Sequence, residues 1–202
     1  MRYLKSYEHT IYASYFGYIT QAIINNFAPL LFLTFTTEFN LTLDKIALIT
    51  SVNFMVQLFV DLLATKLVDK IGYRVSIVIA HLFCAIGIIG LGIFSYLFSN
   101  SFVGILTSVI LYAIGGGIIE VLISPIVEAC PTPTKKKESI MSLLHSFYCW
   151  GHMAVVIIST IFFRIFGIIN WRILCFFWAI IPICNFFYFI FVPLYPIVNA
   201  KE

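Results

Sequence analysis

Charge is what this chain of 202 residues has least of: Asp, Glu, Lys and Arg make up 10% of it, where a soluble domain carries about a quarter. Apolar residues make up 61% and the mean hydropathy is +1.03. Lipid, not water, solvates most of such a surface. Basic blocks are missing too. The net charge is +3, and no run of cations is long enough for a nucleic-acid footprint, so no nucleic-acid partner is expected. The five cysteines, at 84, 130, 149, 175 and 184, show no paired spacing, which excludes a disulfide framework and a zinc site and leaves them as small core residues. There is no nucleophile elbow, no pair of His at metalloprotease spacing and no phosphate loop. The run Gly115, Gly116, Gly117 lacks a preceding strand and dinucleotide spacing, and reads instead as a place where helices approach closely. No cofactor, no metal and no enzyme chemistry are expected. No cleaved leader is expected either: the first apolar run is too long for a signal-peptide core and no small-residue cleavage site follows it, so it is read as a retained helix.

What is present is a succession of long apolar runs. At about 20 to 25 residues per span the chain has room for roughly six membrane helices. The runs predict helices at 11–36, 46–68, 75–98, 102–129, 139–163 and 171–195. Gly72 suits the left-handed turn between the second and third, and Pro131 and Pro133 stop the fourth by removing backbone donors. The hydrophilic connection at 131–138 follows. With a cytoplasmic N-terminus, Arg2, Lys5, Lys66, Lys70, Arg74, Lys135, Lys136, Lys137 and Lys201 lie on the inner side, and Lys45, Arg164 and Arg172 outside. The excess of inner cations predicts a multi-pass protein of the cell (inner) membrane with both termini cytoplasmic.

The stretch 115–151 organises the rest. It sets Glu120 in the middle of an apolar helix, where an ionisable group costs at least a few kcal/mol and marks a functional site by default. Glu120, Ser124 and Glu128 recur every four residues and share one side of that helix. Glu128 reads as a solvated carboxylate meeting the inner cations. Glu120 is either a structural hydrogen-bonding group or a site that takes up and releases a proton. Pro125, one turn further on, frees a carbonyl on the preceding turn and offers a kink. On the fifth helix Ser142, His145, Tyr148, Cys149 and His152 form one stripe. An aromatic stripe alone is ordinary packing, but two His on it favour a cavity-facing surface, and with no Cys, Asp or Glu to complete a ligand set, metal binding is not the reading. The first helix offers Gln21, Asn25 and Asn26 before Pro29, and the second Asn53, Gln57 and Asp61. Such amides serve equally as glue between helices and as lining for a polyhydroxylated solute. His81 and Asn185 read as isolated, satisfied packing residues.

Two segments carry a family resemblance. Asp69, Lys70, Ile71, Gly72, Tyr73 and Arg74 resemble the inner-loop signature of the major facilitator superfamily, an Asp and a basic residue, then Gly and further basic residues. In that family these charges gate the change between outward and inward states, so the resemblance implies a gate of Asp69, Lys70 and Arg74. Glu120 through Pro125, with Ser142, Leu143, Leu144, His145, Ser146, Phe147, Tyr148 and Gly151, resembles the sugar:proton symporters related to fucose permease. By that likeness Glu120 occupies the place of their helix-four carboxylate, Ser124 that of the Asn before the Pro, and His145 and Tyr148 those of a Gln and an Asn. Asn25 falls where those permeases carry an Asp, and an amide cannot take up a proton, which leaves Glu120 as the proton carrier with His145 as partner. The Trp171, Arg172 pair also fits the family.

The resemblance implies an all-α membrane protein of six transmembrane helices: one half of a major facilitator fold, built as two inverted three-helix repeats at about 1–98 and 99–202, with the second bundle absent from this chain. It implies secondary active transport of a small polar solute, with a sugar as one candidate, by alternating access with proton coupling. Glu120 would titrate, and Gln21, Asn25, His145, Tyr148 and His152 would bind the solute. The partners are the bilayer, the solute, a proton, and a second six-helix half or a second copy. Two other readings stay open: a half-size transporter working as a homodimer, and a non-transporting remnant or membrane interaction protein.

Overall fold

A computed structural model describes residues 6–131 and 136–195, apart from the side chains at 65 and 69. No strand occurs among the described residues. The helices are α1 (Glu8–Leu30), α2 (Phe32–Phe39), α3 (Leu43–Ile71), α4 (Tyr73–Leu97), α5 (Ser101–Ala129), α6 (Lys137–Phe166) and α7 (Trp171–Phe191), with a single 3-10 turn at Ile168–Asn170. Five of the spans are long and apolar enough to cross a membrane on their own. The sixth is α1 and α2 together, bent by 44°.

That bend corrects the single helix expected at 11–36. Pro29 has no N–H to give the Asn25 carbonyl, and its ring crowds that carbonyl, so the ladder fails there and the axis turns. Pro125 produces no such break, since α5 is continuous from Ser101 to Ala129. The last helix stops at Phe191, short of the expected 195. The turns follow local chemistry: Gly72 and Gly167 take φ of 86° and 79°, and Asn40 takes the left-handed region at 51°. At the start of α5 the Asn100 side chain accepts from the Phe102 N–H at 3.0 Å. The connection at 132–135, with most of the expected Pro- and Lys-rich turn, lies outside the described residues.

The spans alternate in direction, and α5 sits at the middle of them. Its three consecutive glycines face three different neighbours. A Cβ on Gly115 would collide with the backbone and side chains of α4 at Ala80 and Cys84. One on Gly116 would lie 3.1 Å from Gln21 Oε1 of α1, and one on Gly117 would lie 2.9 Å from Val60 of α3. The glycines therefore let helix backbones approach, as expected of small residues in membrane bundles. On the outside, α6 packs mainly along α1. There Gly151 sits against Ala22 and Ile19, and Phe147 stacks on Tyr15 with ring centres 4.3 Å apart. Cys84, Cys130 and Cys175 are buried as expected, but Cys149 and Cys184 are exposed, because both stand on outward faces of their helices.

Candidate functional site

The amides expected on the first two spans come together into one hydrogen-bonded network across α1, α3, α5 and α6. Gln57 Nε2 donates to Asn25 Oδ1 at 2.8 Å and to Asn53 Oδ1 at 3.0 Å. Asn53 Nδ2 also donates to Asn25 Oδ1, at 3.3 Å. From there Asn25 Nδ2 reaches Tyr148 OH on α6 at 3.4 Å. In the other direction Gln21 Nε2 donates to Gln57 Oε1 at 2.9 Å and to Glu120 Oε2 at 3.1 Å. The four-residue steps of Asn53 and Gln57, and of Gln21 and Asn25, put each pair on one helix face, and these faces meet. Gln21, Asn53 and Gln57 are buried, whereas Glu120 opens to the surface of the bundle. Glu120 lies nine residues before the end of α5 at Ala129, about 14 Å along the axis at 1.5 Å per residue. That places a carboxylate well inside the apolar span.

Beside this network, Tyr18 OH lies 2.9 Å from Ser124 Oγ, one turn along α5 from Glu120. The Tyr18 ring stands 5.4 Å from that of His145. So Gln21, Asn25 and Tyr148 are joined directly to Glu120's surroundings, and His145 reaches them through Tyr18. His152 is exposed on α6, two turns beyond His145, and is not drawn into the network. A shallow indentation, with a volume of about 10 Å³, opens beside the network at the α1–α2 bend, lined by Asn25, Pro29, Thr50, Asn53 and Phe54 among others. Among the described residues no group of three or more His, Cys, Asp or Glu is arranged to hold a metal.

The residues expected to gate lie at the end of the bundle where α3 passes into α4. Lys70 is exposed. Arg74 donates from Nη1 to the carbonyls of Phe189 and Ile190, at 3.0 and 3.1 Å. These belong to the last turn of α7, whose carbonyls have no intrahelical partner, and a cation is favoured there. The side chain of Asp69 lies outside the described residues. At the opposite end Glu38 accepts from Trp171 Nε1 at 2.8 Å and from the Tyr96 hydroxyl. Arg172 sits over the Tyr96 ring at 4.3 Å and donates from Nε to the Gly92 carbonyl. The Trp171, Arg172 pair thus fastens α7 to α2 and α4.

Two arrangements were not legible as such. Asp61, one turn after Gln57, has a buried Oδ1 without a hydrogen-bond partner and interacts electrostatically with Glu120. Its four-residue register with Asn53 and Gln57 was the only signal for it. His81 and Asn185, read as isolated, are partners: Asn185 Nδ2 stands 2.8 Å from His81 Nε2 and donates to the Ala13 carbonyl at 3.0 Å. His81 Nδ1 lies 2.8 Å from the Ile77 carbonyl. A ring whose Nδ1–H donates to Ile77 leaves Nε2 as an acceptor for Asn185, which fixes a neutral imidazole.

With this geometry in place, comparison with known proteins assigns the class. A family model described as Major Facilitator Superfamily matches residues 13–202, and the chain belongs to that superfamily. Among solved structures it is similar to the in meso crystal structure of the POT family transporter PepTSo, with TM-score 0.70 and 16% identity over 96% of this chain. The match covers 39% of that transporter, so this chain spans about two fifths of its length. The fold is accordingly a six-helix half of the major facilitator architecture, all-α and multi-pass. A search of curated protein sequences finds no match.

Proposed function

We propose that this chain forms the solute-binding half of a secondary transporter that moves a small polar solute, a sugar by its resemblance to the fucose permease-like symporters, across the cell membrane with proton coupling. The observation that carries the reading is the network that ties a carboxylate inside an apolar span, Glu120, to amides of α1 and α3. Glue between helices has no need of an ionisable group that opens to the bundle surface, whereas a proton-linked site does. In this reading Glu120 titrates as access alternates, and Gln21, Asn25, Tyr148 and His145 hold the solute. His152 joins them from α6 once the facing wall is present. Asp69, Lys70 and Arg74 form the inner gate, both termini are cytoplasmic, and residues 1–98 and 99–202 are the two inverted repeats.

The test is accumulation of labelled hexoses by proteoliposomes carrying the full chain under an imposed pH gradient, with an internal pH dye. Glu120→Gln should abolish gradient-driven accumulation and proton entry while leaving the protein in the membrane. Unchanged accumulation by that variant would sink the proton role. Absence of flux under any gradient would turn the reading towards a non-transporting protein. The stripe of His145, Cys149 and His152 left exposed on α6 favours a second copy or a second half against that face. Disulfide cross-linking through Cys149 between two copies would support the homodimer.

A further inference from the structure

The hydrogen bonds around Glu120 are unequally distributed between donors and acceptors. Both N–H groups of Gln21 are spent, one on Gln57 and one on Glu120, and both of Gln57 are spent on Asn25 and Asn53. What remains over is oxygen. Gln21, 2% exposed, keeps a buried Oε1 with no partner, and so does Asp61 with its Oδ1. Gln21 Oε1 is turned into the crevice between α3 and α5, since a Cβ on Gly116 would lie 3.1 Å from it and 3.5 Å from Gln57 Cδ. Asp61 and Glu120 stand at the same level of that crevice. The two helices run parallel there: Asn53 shares an indentation with Tyr112, and Gln57 and Val60 meet Gly116 and Gly117, so four residues past Gln57 falls beside three past Gly117. The electrostatic interaction between the two carboxylates agrees with that placement.

From these leftover acceptors we infer that the crevice between α3 and α5 binds a solute through a protonated amine, with Asp61 and Glu120 as its counter-charges and Gln21 Oε1 as a neutral acceptor. This rests on the transporter reading, keeps its small polar solute and replaces the sugar that the family resemblance suggests by an amine. An ammonium group offers up to three N–H donors and one positive charge, which satisfies what these three acceptors lack. A carboxylate or phosphate solute would meet two like charges and no free N–H of the glutamines. A neutral sugar would satisfy the oxygens but bring no charge to match the carboxylates in their deprotonated state.

The test is direct binding to the purified full chain in detergent, by calorimetry, with butylammonium, tetramethylammonium, sodium and a neutral hexose as separate probes. Butylammonium is expected to bind at least tenfold more tightly than tetramethylammonium, which has the charge but no N–H, and than sodium or the hexose. Asp61→Asn should weaken butylammonium at least tenfold, and Asp61→Glu, which keeps the charge, should retain it. Size-exclusion elution shows whether each variant is folded. Equal binding of tetramethylammonium, tighter binding of sodium or of the hexose, or no loss in a folded Asp61→Asn would each overturn the inference. A chain that binds the hexose and loses proton-coupled uptake on Glu120→Gln would overturn it while leaving the transporter reading intact. A chain that binds butylammonium without proton-coupled uptake would do the reverse.

Discussion

Two polar clusters sit in the same apolar bundle and are built on opposite plans. The His81–Asn185 pair is sealed, with the two residues 0% and 2% exposed, and it carries no charge. It uses both ring nitrogens of His81, an amide and two backbone carbonyls to join α1, α4 and α7. The Gln21–Gln57–Glu120 cluster also joins helices, but it holds a carboxylate, with that of Asp61 beside it, and ends at a residue open to the surface. Both clusters replace lipid contact by hydrogen bonds, so polarity alone does not separate glue from a site. The separating features are charge and access; an unpartnered oxygen is common to both, since Asn185 Oδ1 is also buried without a hydrogen-bond partner.

The comparison can be broken most severely through the frame both clusters share. Gly115→Leu would drive a side chain into α4 and should cost about 3 kcal/mol, read as loss of monodisperse protein on size exclusion. Next, His81→Leu would strand an Asn185 N–H among apolar neighbours, at about 1–3 kcal/mol. Thermal unfolding in detergent should show a clear drop in midpoint, whereas Glu120→Gln in the same assay should leave it nearly unchanged. If the two variants fall equally, the distinction between sealed and open clusters fails. Gln57→Met removes the junction of the amide network and should cost about 1 kcal/mol, within the range for interhelical hydrogen bonds in membranes, while reducing uptake more than stability. The smallest effect is expected at the rim, where Glu38→Gln keeps an acceptor at an exposed position beside the buried Trp171 and should cost under about 1 kcal/mol. Trp171 fluorescence should report that change even where the midpoint does not move.

The spans were legible because hydropathy and length speak for each segment separately, and the Gly72 turn was legible from its own chemistry. The bend at Leu31 was not, since Pro29 sits in an unbroken apolar run and only the geometry shows that the chain turns there instead of continuing, as it does past Pro125. The row Asn53, Gln57, Asp61 gave the correct face of α3 but no partner, because glue and lining share one spacing. His81 and Asn185 lie 104 positions apart, and periodicity within one helix carries no information about such a pairing. His152 illustrates the converse: its spacing from His145 is right for one stripe, yet it stands exposed on α6, outside the hydrogen-bonded network of the described residues.

The glycine run of α5 has a mechanical consequence. Because successive residues seat α4, α1 and α3 at contact distance, α5 cannot slide or roll without straining three seams together. These four helices therefore form the stiff block of the molecule. Its compliance is left to α6, whose main support is α1, and to the hinge between α1 and α2, so any rocking of this bundle moves Glu120 as a fixed point on a rigid wall and displaces the α6 stripe relative to it.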